Sequence, residues 1–405
     1  MSKGWIRLIL ASLFTLVLGF GLTGSAFASA PDNPNAAARK IVVFQDWLVN
    51  EAAKDRIIEH TGAIKIKHLP LINAAVVLAA PASEKALQQQ AGVLRVDIDA
   101  VVYTQAKPTP PPPPAESLPW GVDRIDAEKV WDTDGNIIVD PGANAGYGVK
   151  VAVLDTGIDL DHPDLQANIK GGSNTISSRK SADDDNGHGT HVAGIIAGAD
   201  NTIGVLGIAP QAWLYAVKVL DRNGSGFVSD IIEGLQWSIN NGIQVVNMSF
   251  GTASDIQSLH DAIIAAYNSG IVLVAAAGNS GPGDNTVLYP AKYVEVIAVS
   301  STDNTDAIAS WSSRGPEVEL AAPGVNILST YKGGGYKTLS GTSMASPHVA
   351  GTAALVIASG VADSNQVRSN LQSTADDKGT SGKDNLYGYG LVDAEEAVTG
   401  IQTAP

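Results

Sequence analysis

The chain of 405 residues has no cysteine. Disulfides, thiolate nucleophiles, cysteine-ligated zinc and iron–sulfur clusters are therefore excluded. Charge is sparse, at 17% against 44% apolar residues, which rules out global disorder and fits ordinary globular domains. Basic residues are in deficit, 26 against 41 acidic, for a net charge of −15. The deficit is uneven: residues 1–105 carry +2 and residues 106–405 carry −17. An acidic body is a poor partner for nucleic acid or an anionic membrane, and a good one for bound cations. The one long apolar run, Leu8 to Leu22, falls short of the ~20 residues of a membrane span. It follows Lys3 and Arg7 and precedes Ala26-Phe27-Ala28, the pattern of a secretory signal peptide cut near Ala28/Ser29. The expected product is secreted, extracellular and free of the membrane, stabilised by packing or metal.

Apolar spacing divides the remainder. Residues 36–105 alternate as strand Lys40–Phe44, helix Val49–His60, strands Ala63–His68 and Asn73–Ala79, helix Ser83–Ala91 and strand Val93–Val102. The order β-α-β-β-α-β predicts a small ferredoxin-like α+β domain. Five consecutive prolines, Pro110–Pro114, then predict an extended polyproline II arm over 106–117. Residues 118–405 carry an α/β pattern: Val149–Leu154, Leu214–Leu220, Val245–Ser249, Ile271–Ala276 and Val294–Val299 are expected as buried parallel strands. Asp230–Asn240, Ser254–Ser269 and Ser343–Ser359 are expected as helices.

Three segments carry chemistry: Val153-Leu-Asp155-Thr-Gly157, Asn186-Gly-His188-Gly-Thr-His191 and Gly341-Thr-Ser343-Met-Ala-Ser-Pro347. Each alone has a structural explanation, as a turn cap, a packed histidine or a helix N-cap. Together they supply a carboxylate, a base and a nucleophile. A serine hydroxyl is too weakly acidic to attack an amide unaided, so an imidazole must take its proton. A buried carboxylate on the other ring nitrogen orients that imidazole and stabilises its cation. Asp155 ends a strand, where α/β sheets place their sites. Ser343 begins a helix, whose N-terminus favours a developing oxyanion. Asn279, in Ala275-Ala-Ala-Gly278-Asn279-Ser280, offers an amide donor to that oxyanion. His191 and His348 are expected to be packed, structural residues.

These motifs resemble the subtilisin-like serine proteases (subtilases), and the order Asp…His…Ser is that of subtilisin, the reference case for it. The resemblance spans nearly the whole chain. It implies a central, mainly parallel sheet with helices on both faces, preceded by the ferredoxin-like unit as a propeptide. It implies that Asp155 orients, His188 acts as general base then acid, Ser343 attacks and Asn279 holds the oxyanion. Substrates would be proteins or peptides. They would pair by β-augmentation with Gly224-Ser225-Gly226, opposite Ser249-Phe250-Gly251. Leu288 falls where many subtilisins carry glycine at the floor of the S1 pocket, which predicts a medium-sized apolar P1 residue. A catalytically silent binding protein and an esterase are the alternatives. The first needs damage at the four motif positions, and the second is favoured by a Gly-x-Ser-x-Gly elbow; neither is present.

The resemblance also implies a structural calcium site: the Asp164 carboxylate, the Asn201 side-chain oxygen and the carbonyls of Ala199, Ile203 and Val205. Such hard oxygens suit Ca²⁺. Asp132-Thr-Asp134-Gly-Asn136 and Asp183-Asp-Asp185 are weaker cation candidates, read as solvated carboxylates. Tyr293, Val296 and Glu319 are a further weak site by analogy alone. The implied domain plan is signal peptide 1–28, inhibitory and chaperoning propeptide 29–105, Pro-rich arm 106–117 and catalytic domain 118–405, cut between about Tyr103 and Lys107. The mature enzyme is expected to be monomeric.

Overall fold

A computed structural model describes residues 36–48, 50–104, 107–108 and 116–402. The expected signal peptide and most of the Pro-rich arm lie outside these residues. The described residues from 37 onward form one compact unit.

Its N-terminal part is a four-stranded antiparallel sheet with two helices. The chain runs through β1 (Ala38–Phe44), α1 (Glu51–His60), β2 (Ile64–Leu69), β3 (Ala74–Ala79), α2 (Pro81–Gln88) and β4 (Val93–Ile98). The strand order β2-β3-β1-β4 is the ferredoxin-like one. Asn50 caps α1 through its side chain, and Pro81 opens α2, where a missing N–H costs nothing. The expected strand Val93–Val102 breaks at Asp99. Val93–Ile98 stays with β1, while β5 (Val101–Thr104) leaves the sheet and pairs elsewhere.

The rest contains β6 (Lys107–Pro108), α3 (Trp120–Arg124), α4 (Glu128–Trp131), β7 (Lys150–Asp155), β8 (Ile169–Asn174), α5 (His188–Ala197), β9 (Trp213–Lys218) and β10 (Ser225–Phe227). It continues with α6 (Val228–Asn240), β11 (Val245–Met248), β12 (Phe250–Gly251), α7 (Gln257–Asn268), β13 (Val272–Ala276), β14 (Ile297–Thr302) and β15 (Val318–Pro323). It closes with β16 (Ile327–Tyr331), β17 (Gly335–Ser340), α8 (Thr342–Ala358), α9 (Ser364–Ser373) and α10 (Ala394–Thr399).

Seven strands form a parallel sheet in the order β15-β14-β13-β11-β7-β9-β8. Both faces are covered, so the central strands are apolar throughout, as parallel sheets require. Val151, Val153, Leu214, Val274 and Val299 face a core shared with α5 and α8. Ala152, Leu154, Val217, Val246 and Leu273 face a second core shared with α6 and α7. The expected strand Val294–Val299 begins later, at Ile297, because Tyr293–Val296 is a turn closed by the Val296 N–H to the Tyr293 carbonyl. The β8 strand, Ile-Lys-Gly-Gly-Ser-Asn, is held by pairing with β9 rather than by its own residue preferences.

The second core also contains Ile41, Val43, Leu69, Ala74 and Val76 of the N-terminal sheet. That sheet therefore packs directly on α6 and α7. Charge pairs frame the contact: Lys67 reaches Asp230 and Glu233, each at 2.7 Å, and Arg95 pairs with Asp261. Asp99 accepts the Ser229 N–H at 2.9 Å in the first turn of α6, and Asp97 accepts the Ser258 hydroxyl in the first turn of α7. Carboxylates at helix N-termini complement the helix dipole.

Helix α8 crosses this architecture buried from Thr342 to Val356, with Gly351 against the loop at Ile208. A methyl group there meets Ile208 Cβ at 2.6 Å. Gly351→Ala gains about 1 kcal/mol of helix propensity, but overpacking costs about 1–3 kcal/mol. A lower urea midpoint for Gly351→Ala in an inactive background is the expected result.

Candidate active site and cation loop

Five motif residues sit at strand C-termini and helix N-termini. Asp155 ends β7, Ser249 follows β11, Asn279 follows β13, and His188 and Ser343 lie in the first turns of α5 and α8. The two helices pack on each other. Gly189 permits the approach of α5, because a Cβ there meets the Gly157 carbonyl at 2.1 Å and Asp155 Cβ at 3.0 Å.

Asp155 is wholly buried and His188 is 3% exposed. His188 Nδ1 lies 2.8 and 2.9 Å from the two Asp155 oxygens, so Nδ1 carries the proton and donates. This leaves Nε2 as the basic nitrogen, buried and without a hydrogen-bond partner among the described residues. The Thr156 N–H at 2.7 Å supplies another donor to Asp155.

Ser343 is fixed by a reciprocal clasp. Its hydroxyl donates to the Ser249 carbonyl at 3.0 Å, and the Ser249 hydroxyl donates to the Ser343 carbonyl at 2.9 Å. Pro347 explains the second bond. Lacking an N–H, it cannot satisfy the Ser343 carbonyl four residues back, so that carbonyl is left for Ser249. The structure thus brings Asp155 and His188 into contact and seats Ser343 on the neighbouring helix, its hydroxyl turned to Ser249.

Asn279 Oδ1 accepts from Thr342 N and Oγ1, each at 3.0 Å. The acceptor must be the oxygen, so the amide NH₂ is directed away from Thr342. The Thr342 hydroxyl also accepts the Gly278 N–H at 3.1 Å. Thr342 was not singled out from the sequence; its side chain locks the loop against the helix.

Asp184 was also missed, hidden in the run Asp183–Asp185 read as solvated. It is 6% exposed and accepts from Thr156 Oγ1, Asn186 N, Gly187 N, Thr190 N and Thr190 Oγ1. It therefore shapes the turn that delivers His188. Asp185 pairs with Lys218 at 2.6 Å. The Asp132–Asn136 loop folds onto itself, with Asp132 accepting the N–H groups of Gly135, Asn136 and Ile137.

The cleft holds a strand of the same chain. β5 lies antiparallel between β10 and β12, pairing Tyr103 with Ser225 and Gly251, Val102 with Gly226, and Thr104 with Phe250. Gly224 does not pair; it sits at φ 73° in the turn that bonds back to Asp221. Past the site, β6 pairs with β17, Lys107 opposite Ser340 and Pro108 opposite Leu339. Leu288 packs where a Cβ on Gly251 or on Gly278 would sit, 2.8 Å from each. It fills the space between the two glycine backbones.

The loop 199–205 faces Asp164, which is wholly buried. Asp164 accepts Asn201 Nδ2 at 3.0 Å and Val205 N at 2.9 Å. The carbonyls of Ala199, Ile203 and Val205 take no hydrogen bond among the described residues. Burial, then the nearby Glu116 charge, push Asp164 up to about 6. Glu116, missed beside the proline run, accepts the Asn201 and Thr202 N–H groups, each at 2.9 Å, through Oε1. Neither carboxylate has an ion-pair partner among the described residues. Hard oxygens, orphaned carbonyls and uncompensated negative charge fit Ca²⁺. The Tyr293–Val296–Glu319 alternative does not fit: Glu319 is held by Arg368 (Nε to Oε1, 2.7 Å), and the Tyr293 hydroxyl bonds Asp255 and Ile256. Asp376, Asp393 and Glu396 form another acidic cluster.

A carboxylate-oriented histidine and a helix-borne serine on the rim of a parallel sheet are the parts of a serine hydrolase. Residues 146–390 match the family described as "Subtilase family". An alkaline protease of Alkalihalobacillus alcalophilus is 46% identical over 322 residues, 78% of this chain and 77% of that protein. Subtilisin Savinase of Lederbergia lenta is 49% identical over 288 residues, 70% of this chain and 99% of the relative. Subtilisin amylosacchariticus of Bacillus subtilis subsp. amylosacchariticus is 39% identical over 403 residues, 98% and 99% of the two chains. The chain belongs to the subtilase family and is a subtilisin-like serine endopeptidase. No described helix is long and apolar enough to cross a membrane.

His191 and His348 are wholly buried and hydrogen-bonded to carbonyls, His191 Nε2 to Lys337 at 2.9 Å and His348 Nδ1 to Met344 at 2.8 Å. Burial pushes their pKa values down to about 3 and about 4, from 6.5. The unfolded chain takes up these protons near 6.5 and the folded chain only far below. Their contribution to stability is therefore complete above 6.5 and is lost as pH falls toward 4. In the Ser343→Ala protein the urea midpoint should drop between about pH 7 and pH 5, with a shallower drop after His348→Gln. An equal slope in both proteins contradicts the assignment.

Proposed function

We propose that this protein is a secreted endopeptidase, made as a pre-pro-enzyme, that cuts itself and then protein substrates through Ser343, His188 and Asp155. The observation that carries the reading is the Asp155–His188 contact. It commits Nδ1 and leaves Nε2 as the base beside a cleft through which the chain itself is threaded. Nε2 takes the Ser343 proton as Oγ attacks the scissile carbonyl carbon. The oxyanion is met by the Asn279 amide and the Ser343 N–H. The C–N bond then breaks, with the Nε2 proton passing to the leaving amine. A water, deprotonated by the same nitrogen, releases the acyl group. All four motif residues are intact, which leaves the silent-member alternative without support.

Substrates bind as an extended strand between Ser225–Gly226 and Ser249–Gly251. The N-terminal unit is the intramolecular inhibitor: it docks on α6 and α7 and lays Val101–Thr104 in this position. Two residues, Gln105 and Ala106, separate that stretch from the segment paired at Ser340, so the scissile bond is one of the three between Thr104 and Lys107. Calcium held by Asp164, Asn201 and the Ala199, Ile203 and Val205 carbonyls neutralises the buried negative charge and stiffens the loop. The mature enzyme acts as a monomer.

Expression of wild type and Ser343→Ala, followed by N-terminal mass spectrometry, tests self-processing. Wild type should begin at Gln105, Ala106 or Lys107, and Ser343→Ala should remain joined to the propeptide that begins near Ser29. A correctly cut Ser343→Ala protein contradicts self-processing. Asn279→Ala should lower kcat with KM nearly unchanged, because the oxyanion exists only along the reaction path. Leu288→Gly should open the S1 pocket and raise kcat/KM for Phe over Leu at P1 by roughly tenfold. An unchanged Phe/Leu ratio contradicts the place given to Leu288.

A further inference from the structure

Among the described residues the buried cations are Lys54, in the N-terminal unit, and Lys218, in the catalytic part. Lys218 ends β9 and stands opposite Asp155 in the register of β7 and β9. It is 6% exposed. Its ammonium donates to the Thr156 carbonyl and, at 2.6 Å, to Asp185 Oδ1. Its own carbonyl accepts the Thr175 N–H at 3.1 Å, which pins the end of β9 to the residue after β8. Thr156 is where the contacts meet. Its N–H goes to Asp155, its hydroxyl donates to Asp184 at 2.9 Å and accepts the Gly189 N–H at 2.9 Å, and its carbonyl takes Lys218. One ammonium thus ties the residue that follows Asp155 to Asp185, in the turn that delivers His188.

We propose that Lys218 is a positioning residue for the acyl transfer: it locks the turn after β7 to the turn before α5, and it supplies the buried positive charge that Asp155 and Asp184 share. The proposal rests on the roles given to Asp155 and His188 above, and Lys218 acts through those two residues. A tie between two turns needs only a hydrogen-bond donor, and a buried ammonium is a costly way to provide one unless its charge is used. Here the charge has a use. Asp155 and Asp184 are both buried and both bound to Thr156, and neighbouring carboxylates disfavour each other's ionised form unless a cation stands beside them. Asp185, the direct partner of the ammonium, has a side chain 56% exposed, so water screens its charge and leaves the field of Lys218 to the buried pair. Loss of the ammonium therefore slows the chemical step and spares substrate binding, which is assigned to β10 and β12.

The test compares full-length Lys218→Gln, Lys218→Met, Lys218→Arg and His188→Ala with wild type. Self-cleavage after dilution from urea is followed by intact mass, and kcat and KM of the matured proteins are measured on a chromogenic peptide. Lys218→Gln keeps a donor for Thr156 and removes the charge. It should cut itself more slowly by about tenfold or more. Its matured form should show the same loss in kcat, with KM within about twofold of wild type. Lys218→Met should lose at least as much, and Lys218→Arg should recover most of the loss. The proton on His188 Nδ1, held far downfield in the wild-type NMR spectrum by its bond to Asp155, should move upfield in Lys218→Gln. Wild-type rates in Lys218→Gln overturn the proposal, since a hydrogen bond would then suffice. A loss shared equally by Lys218→Arg and matched by a fall in the urea midpoint also overturns it, by making Lys218 a structural residue only. Self-cleavage of His188→Ala at the wild-type rate removes the reading of His188 itself, and the proposal with it.

Discussion

The buried pairing of Asp155 with His188 constrains the rest of the molecule. A carboxylate with no exposure is costly unless donors surround it. Here the donors are His188 Nδ1 and the Thr156 N–H. For the pair to form, β7 must end where α5 begins, and glycine must occupy position 189 so that helix and strand can close up. Asp184 then ties the turn before the helix to Thr156 and Thr190. The clasp between Ser249 and Ser343 fixes the second helix to the adjacent strand end, and Pro347 frees the carbonyl on which that clasp depends.

The same sheet edge explains how the N-terminal unit is held. Its apolar face joins the core of α6 and α7, and Asp97 and Asp99 meet the first turns of those helices. Arg39 binds Asp99 at 2.8 Å and lies 3.7 Å over the Phe227 ring, closing the corner from which β5 departs. Antiparallel pairing on both sides of β5 makes the cleft a gap in a sheet, filled here by a segment of the chain itself.

Much of this was legible in the sequence. The buried parallel strands announced themselves as short apolar runs, and the N-terminal α+β order followed from alternation between the two periods. The catalytic candidates were found because a carboxylate, an imidazole and a hydroxyl occur in three specific motifs. Other features were hidden for physical reasons. β8 is rich in glycine and is a strand only through its neighbour β9. Asp184 looks like Asp183 and Asp185 until the fold shows that it alone of the three is buried. Glu116 stands beside a proline run, and its partners lie 85 and 86 positions away. Val93–Val102 is continuous in pattern, yet breaks at Asp99 because its two halves belong to different sheets. Tertiary pairing, absent from local pattern, made each of these decisions.

The central claim is that His188, oriented by Asp155, makes Ser343 the one nucleophile of this enzyme. Stoichiometric labelling with a small organofluorophosphate, followed by peptide mapping, tests it most directly, because the reagent needs an activated serine and no particular substrate. The account predicts one adduct per molecule, on Ser343 within Gly341–Pro347, and a collapse of the labelling rate in His188→Ala at unchanged secondary structure. An adduct on another residue, or labelling of Ser343 at the same rate without His188, would contradict it.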